Sequence, residues 1–234
     1  MKSSLITGAT KGMGRSIAIA FAKEGINVAI CSRNEKDLMD FKQELLKINP
    51  EIKVVAQLAD GSNKEQLLHF AAVAEQEFGS ISIIVNNLGM FDPSSILDEG
   101  ENAFDKQLNT NLMPAYHLYR YFGKKMMAAR EGHIFTICSV AALNPIAAAG
   151  TYSVTKFALL GLSKVMRLEM QSYNVKVTAV IPGSTLTDSW KDADVDKDQF
   201  VASDDIASAI VNIYKMSTGA NVDEIIIKPV GGQV

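Results

Sequence analysis

Cysteine is nearly absent from this chain, and so is any excess of charge of one sign. Only two cysteines occur, Cys31 and Cys138, far apart and without CxxC spacing, so no disulfide framework is expected. The three histidines, His69, His117 and His133, are scattered and match no zinc-ligand spacing. A net charge of −3 offers no basic surface to nucleic acid or to an anionic membrane. No apolar run reaches the roughly 18–20 residues needed to cross a bilayer. Strand-like Ser4-Leu5-Ile6-Thr7 begins too early to leave room for a signal peptide. Together these absences point to an intracellular, reducing compartment, and the expected location is cytoplasmic. What remains is an ordinary globular profile, 47% hydrophobic and 21% charged over 234 residues, enough for one large domain without staples.

Along the chain, short apolar runs alternate with helical periodicity. The runs are Leu5 to Thr7, Val28 to Cys31, Val54 to Leu58, Ile81 to Val85, Ile134 to Cys138, Val175 to Ile181 and Ile225 to Ile227. Between them, Gly12 to Lys23 and Asn34 to Ile48 carry apolar residues at helical spacing, the second behind a capping Asn34. Asn63-Lys64-Glu65-Gln66 has the form of a capping box, and Asn102 to Arg130 reads as one long helix. The alternation predicts βαβ crossovers: a single doubly wound (Rossmann) α/β domain over residues 1–234, its seven-stranded parallel sheet flanked by helices on both faces.

Thr7-Gly8-Ala9-Thr10-Lys11-Gly12-Met13-Gly14 falls between the first strand and the first helix. Glycines there allow a tight turn and a close approach of a pyrophosphate to the backbone, and the helix N-terminus adds partial positive charge. The spacing is Gly-x3-Gly-x-Gly, not GxGxxG. About 20 residues further on, sites that prefer NAD carry an acid for the ribose 2′-hydroxyl. This chain has Ser32 and then Arg33 at that place. An acid would repel a 2′-phosphate, whereas Arg33 offers it a charged fork and Lys11 lies in reach of it, so the favoured cofactor is NADP(H).

A second constellation places Ser139 after the fifth strand, thirteen residues before Tyr152, with Lys156 four residues further on. Hydride transfer to a carbonyl leaves an alkoxide that needs a proton, and a free phenol, with a pKa near ~10, is a poor donor at neutral pH. A cation about 4 Å away is worth roughly 4 kcal/mol at an effective dielectric of ~20. Lys156 shares a helical face with Tyr152 and supplies that cation, while Ser139 can bond the carbonyl oxygen as charge develops on it. YxxxK alone is weak evidence, because Tyr121-Phe122-Gly123-Lys124-Lys125 also matches it. That copy has no strand-end serine before it, and Tyr121 is read as structural.

With these motifs in hand the chain resembles the short-chain dehydrogenase/reductase family along essentially its whole length. Thr7 to Gly14 is similar to the family's TGxxxGxG. Asp60 stands where the family has an Asp near the adenine. Asn86-Asn87-Leu88-Gly89 is similar to NNAG, with Leu88 in place of Ala, and Pro182-Gly183-Ser184-Thr185-Leu186-Thr187 to the PGxxxT segment that meets the nicotinamide amide. The resemblance implies a tetrad of Asn111, Ser139, Tyr152 and Lys156. In it Tyr152 is the acid/base, Lys156 tunes the phenol and holds the nicotinamide ribose, Ser139 steadies the substrate oxygen and Asn111 holds a relay water. The implied dinucleotide contacts are Gly8, Thr10, Lys11, Gly12, Met13, Gly14, Ser32, Arg33, Asp60, Asn87, Gly89, Tyr152, Lys156, Pro182, Gly183, Thr185 and Thr187. A helix-packing amide is the alternative for Asn111, and solvated surface charge the alternative for Lys11 and Arg33.

The substrate is less legible. Expected pocket walls are Leu88 to Asp92, Val140 to Asn144 and Gly183 to Phe200; the small apolar Val140-Ala141-Ala142-Leu143 suits an uncharged carbonyl. The last wall carries Asp188, Asp192, Asp194, Asp196 and Asp198 against Lys191 and Lys197, an obstacle to polyanions. Asp192 to Asp196 begins like a calcium loop, but Lys197 and Ser203 occupy the positions that need Gly and Glu, and no metal site is expected. Arg130, Lys124 and Lys125 match the basic segment of members that reduce acyl-carrier-protein thioesters. Ser172-Tyr173-Asn174 lacks the other basic spot, and Asn221 to Pro229 looks more like small hydroxy-acid dehydrogenases and carbonyl reductases. The reading is therefore an NADPH-dependent reductase of a ketone or 3-oxoacyl carbonyl, with an NADP-dependent dehydrogenase of small 3-hydroxy acids and a non-catalytic NADPH sensor as alternatives. The resemblance also implies a homodimer or homotetramer, with Met113, Tyr116, Tyr119, Ala158 and Leu162 as positions for that contact or, alternatively, for the core.

Overall fold

Strands buried on both faces have no polar side to display, which is why their sequences are mainly apolar and do not alternate. In the computed structural model, which describes residues 1–187 and 196–232, seven such strands form one parallel sheet: β1 (Ser3–Ile6), β2 (Asn27–Ser32), β3 (Val54–Leu58), β4 (Ile83–Asn86), β5 (Gly132–Ile137), β6 (Val175–Pro182) and β9 (Glu224–Ile227). Their order is β3-β2-β1-β4-β5-β6-β9, so the chain reverses direction across the sheet between β1 and β4. Two further strands, β7 (Thr185–Leu186) and β8 (Val201–Ala202), pair only with each other. The expected doubly wound sheet is present, with strand ends within two residues of the sequence reading.

Helices α1 (Gly12–Lys23), α2 (Glu35–Ile48) and α7 (Ser203–Tyr214) cover one face, where Phe21, Phe41 and Ile210 meet Ile6, Ile30, Val85 and Phe135. Helices α3 (Lys64–Phe78), α5 (Met113–Ala129) and α6 (Gly150–Met170) cover the other, where Phe70, Phe122 and Met166 meet Leu5, Ala29, Ile84 and Ile134. Each large side chain fully buried in these layers contributes roughly 1.5–3 kcal/mol. Residues i and i+1 of every strand feed different layers, so a one-residue slip would exchange the two cores.

Two local expectations fail. The helix read from Asn102 to Arg130 is two helices, α4 (Ala103–Asn111) and α5, joined at Leu112. Pro114 lies in the first turn of α5, where a missing N–H is tolerated. Apolar periodicity runs through the join, which hid it. In the capping box at α3, Asn63 accepts from Gln66 N at 3.1 Å, but the Gln66 side chain accepts from Asp60 N at 2.8 Å instead of returning to Asn63. Asn34 caps α2 as expected, accepting from Asp37 N at 3.0 Å.

Candidate active site

Every segment expected to carry chemistry lies at the C-terminal end of the sheet, around the β1/β4 reversal where open α/β sheets leave a crevice. The glycine loop follows β1. Gly8 and Gly12 have φ of +64° and +52°, a region costly for side chains. A Cβ on Gly14 would lie 2.3 Å from Gly8 O and 2.4 Å from Asn87 Nδ2, so only glycine fits between α1 and this turn. Helix α1 has no side-chain cap at Lys11 and no acid in its first turn, leaving its N–H groups and partial positive charge for an anionic ligand. Met13 packs its side chain against the core, so its backbone N–H is the group it can offer.

Four residues after β4, Asn87 to Met90, join this cradle to the expected tetrad. Asn87 Nδ2 donates to Thr7 O at 3.0 Å and to Gly8 O at 2.8 Å, while Thr7 Oγ1 accepts from Asn87 N and Leu88 N. At the other end of the segment, Met90 N donates to Asn111 Oδ1 at 2.7 Å and Met90 O accepts from Asn111 Nδ2 at 3.1 Å. Between them, the place of a Cβ on Gly89 is 3.5 Å from both Asn111 Oδ1 and Lys156 Nζ. Leu88, large where the family has Ala, lies over Gly61; a Cβ there would come within 2.9 Å of Leu88 Cδ2. The glycine after Asp60 thus makes room for the departure at Leu88.

Tyr152 and Lys156 project from the first turns of α6. Lys156 is 5% exposed, its Nζ donates to Ile137 O at 3.1 Å and stands 5.6 Å from the Tyr152 ring centroid. Ser139, two residues past β5, opens a 3-10 turn (Val140–Ala142) that packs on α6. Its Oγ accepts from Ala141 N at 3.1 Å, which leaves its hydrogen available for a substrate oxygen. Asn111, 2% exposed, also donates from Nδ2 to Thr155 Oγ1 at 3.0 Å. Its side chain is therefore occupied in fixing the Met90 backbone and α6, close to the packing alternative for this residue.

At the far side of the cradle, Arg33 and Lys11 are the expected readers of a 2′-phosphate. Their side chains are 80% and 65% exposed, and their carboxylate neighbours, Asp60 at 4.0 Å and Asp37 at 3.8 Å, are too distant to engage them fully. Ser32 Oγ accepts from Asn34 N at 3.2 Å. Partial burial disfavours the Asp60 charge, but two hydrogen bonds from Ser62 and the Arg33 guanidinium together outweigh it and hold the carboxyl below its ordinary value. Thr10 is half-buried in the turn. The β6 end closes the ring: Pro182 ends the strand, Gly183 N donates to Ile227 O at 2.8 Å, and Thr185 Oγ1 donates to Gly183 O at 2.9 Å. Thr187 reaches the glycine loop, with its Cγ2 3.2 Å from where a Gly12 Cβ would lie. The acidic residues Asp188, Asp192 and Asp194, with Lys191, lie outside the described residues.

Other sequence signals resolve simply. Burial pushes the Cys138 thiol up to about 12, against the opposing charge of Lys156, and burial does the same for Cys31, so both are unreactive at neutral pH. Among the described residues no cluster of three or more His, Cys, Asp and Glu side chains is placed to hold a metal. Arg130 precedes β5 and therefore lies at the sheet end opposite Ser139. One neighbour was not anticipated: Phe91 packs edge-to-face on Tyr152 with ring centroids 4.9 Å apart. Nothing in its spacing announces that contact, which depends on how Asn111 holds Met90. Thr7, by contrast, was legible as the first residue of the glycine motif.

Comparison with known proteins agrees with this arrangement. A model of the short chain dehydrogenase family matches residues 2–198. The chain is 32% identical over 238 residues to a sepiapterin reductase of Chlorobaculum tepidum, covering 98% of this chain and 97% of that protein. Among solved structures, an alcohol dehydrogenase of the archaeon Thermococcus sibiricus, complexed with 5-hydroxy-NADP, superposes with a TM-score of 0.91 at 24% identity, over 100% of this chain and 99% of that one. An L-sorbose reductase of Gluconobacter frateurii, complexed with NADPH and L-sorbose, gives 0.90 at 25% identity, over 100% and 96%. The match begins at the edge of β1 and runs through the glycine cradle, the β4 segment, Ser139 and α6; this chain belongs to the short chain dehydrogenase family.

Proposed function

We propose that the protein is an NADPH-dependent reductase that converts an uncharged carbonyl compound to an alcohol, with Tyr152 as the proton donor. The observation that carries this reading is the Asn87–Met90 segment. Within a few residues it is bonded to the glycine cradle at one end and to Asn111 at the other, with Lys156 beside it. Cofactor cradle and phenol are thus parts of one crevice. Gly8, Gly12 and Gly14 line the turn for a pyrophosphate, the exposed Arg33 and Lys11, only loosely paired with Asp60 and Asp37, would pair a 2′-phosphate, and Thr185 and Thr187 would meet the nicotinamide end. Both NADP-type ligands bound by the solved relatives support the same choice.

When bound, NADPH supplies the hydride to the carbonyl carbon. The chain supplies the rest. Ser139 donates to the substrate oxygen, Tyr152 gives that oxygen its proton, and the Lys156 ammonium offsets the negative charge left on the phenolic oxygen. Asn111 holds the crevice wall, and the relay water expected beside it belongs to the same proposal. Residues 1–234 act as one domain in this reading, and the two free cysteines suit a cytoplasmic setting. It also includes a homo-oligomer, because α6 turns Val165 and Leu168 outward, with Ala158 exposed on the same helix.

NADPH consumption over a carbonyl panel that includes sepiapterin and L-sorbose tests the reading. Turnover of at least one carbonyl, with NADPH bound at least ~10-fold more tightly than NADH and the preference lost in Arg33→Ala, is expected. Tight NADPH binding without any turnover would make the protein a sensor instead. Equal binding of NADH and NADPH would contradict the cofactor assignment.

A further inference from the structure

We propose, resting on the reductase reading above, that Phe91 selects the substrate, and that the carbonyl it selects carries a flat, apolar group beside the reacting carbon. Phe91 is the exposed residue that touches the Tyr152 ring: their planes meet at 89° and the Phe91 side is 54% open. Any substrate whose oxygen reaches the phenol passes this ring.

The ring is a fixed wall. Its loop is fastened before it by the two Met90–Asn111 bonds. It is fastened after it to the start of α6, where Gly150 N donates to Ser94 O at 3.0 Å and Thr151 Oγ1 donates to Glu99 Oε1 at 2.7 Å. Ile96 seats on Gly150, where a Cβ would come within 2.6 Å of its Cγ1. The ring is thus held open to solvent directly beside the Tyr152 phenol, where a group bound at that phenol would cover it. Aromatic faces and edges favour flat partners, and a rigid wall loses little entropy on meeting one.

Further along the same loop the surroundings stay apolar. Ile96 lines, with Pro145, Ile146, Val154 and Phe157, an apolar groove of about 500 Å³ whose one polar side chain among the described residues, Ser153, is already bonded to Ile146 N and Ala149 O. A polyhydroxylated carbonyl would lose hydrogen bonds on this side without replacing them.

The test compares acetophenone, which places a phenyl ring beside the carbonyl, with dihydroxyacetone, which places hydroxyls there, in native protein, Phe91→Ala and Phe91→Tyr. The native protein is expected to favour acetophenone in kcat/KM. Phe91→Ala should raise KM for acetophenone by ~10-fold or more, with kcat and NADPH affinity near native and dihydroxyacetone little affected. Phe91→Tyr, which keeps a ring in place, should restore the native KM. Turnover with equal losses for both ketones in Phe91→Ala, or with no loss for either, overturns the assignment of Phe91 and leaves the reductase reading standing. A native protein that consumes NADPH with no carbonyl of the wider panel overturns both.

Discussion

Two Tyr-x-x-x-Lys pairs stand on neighbouring helices of this protein, and only their surroundings tell them apart. Tyr121 on α5 donates to Glu75 Oε2 at 3.0 Å, and Lys125 bonds the same oxygen at 2.5 Å while its ammonium lies 4.0 Å from the Tyr121 ring centroid. Burial and then the Glu75 carboxylate push the Tyr121 phenol up, and Glu75 outweighs burial in holding Lys125 charged. This phenol already has its acceptor, and this cation its anion. Tyr152 and Lys156 have no carboxylate partner among the described residues. Lys156 bonds a carbonyl, which takes one of its three hydrogens and leaves its charge uncompensated. Equal spacing thus gives a carboxylate-bound triad in one place and, in the function proposed above, the proton donor in the other. The third member distinguishes them: Glu75 on α3, or Ser139 just past β5.

Position in the sheet follows the same division. Lys125 and Glu75 border a mixed polar and apolar cavity of about 360 Å³, lined also by Lys2, Ser82, Phe122 and Glu131, at the N-terminal ends of β1, β4 and β5. The Tyr152 pair stands over the C-terminal ends, where the glycine cradle, Asn87 and Thr187 converge. Ligands of open α/β sheets bind at that second end.

The largest effect expected from exchanging these contexts is in the lysines. Lys156→Met should lower turnover by roughly 100-fold or more, whereas Lys125→Met should leave NADPH-dependent turnover within about twofold of native. Comparable losses in the two variants, read in one steady-state assay, would erase the distinction. The Glu75 triad should register in stability instead. Glu75→Gln is expected to lower unfolding free energy by about 1 kcal/mol or less, as befits a partly exposed network, with kcat unchanged; urea unfolding measures the first and the assay the second.

A subtler effect concerns pH at the structural end. His133, near the start of β5, is 2% exposed, stacks on Phe135 at 3.9 Å and lies 2.9 Å from Thr178 Oγ1 through Nε2. Burial, with a smaller part from Lys176, lowers its pKa from 6.5 to about 3. The folded state therefore binds the proton less readily than the unfolded chain. Stability from this residue is full above about 6.5 and falls as pH drops toward 3, by up to about 1.4 kcal/mol per pH unit. Unfolding free energies measured between pH 7 and pH 5 should show that slope, and His133→Gln should flatten it.

The sheet was legible in the sequence because each strand is a short apolar run between helical periods, and buried parallel strands leave no other pattern. The cradle was legible because glycine at 8, 12 and 14 answers local geometry: two positive φ values and one absent Cβ. The thirteen-residue interval between Ser139 and Tyr152 distinguished the two YxxxK copies in the sequence, and among the described residues only the Tyr121 copy meets a carboxylate. What escaped the sequence depends on partners distant along the chain. The break at Leu112 sits inside apolar helical periodicity, which masked the one local signal of it, Pro114 at the start of the second helix. Asn111 turns to Met90 and Thr155 because burial brings those groups together after the helices dock, whereas Gln66 turns to Asp60 across an exposed local turn. Phe91 lies in the expected Leu88 to Asp92 wall, but its contact with the Tyr152 ring escaped because it depends on packing across the fold.

The central claim, that Tyr152 and not Tyr121 is the proton donor, is tested most directly by comparing Tyr152→Phe with Tyr121→Phe. Turnover of a carbonyl that the native protein reduces is measured together with NADPH affinity. The account predicts that Tyr152→Phe loses at least ~100-fold in kcat while binding NADPH as native does, and that Tyr121→Phe keeps both. Retained turnover in Tyr152→Phe, or a matching loss in Tyr121→Phe, would contradict it.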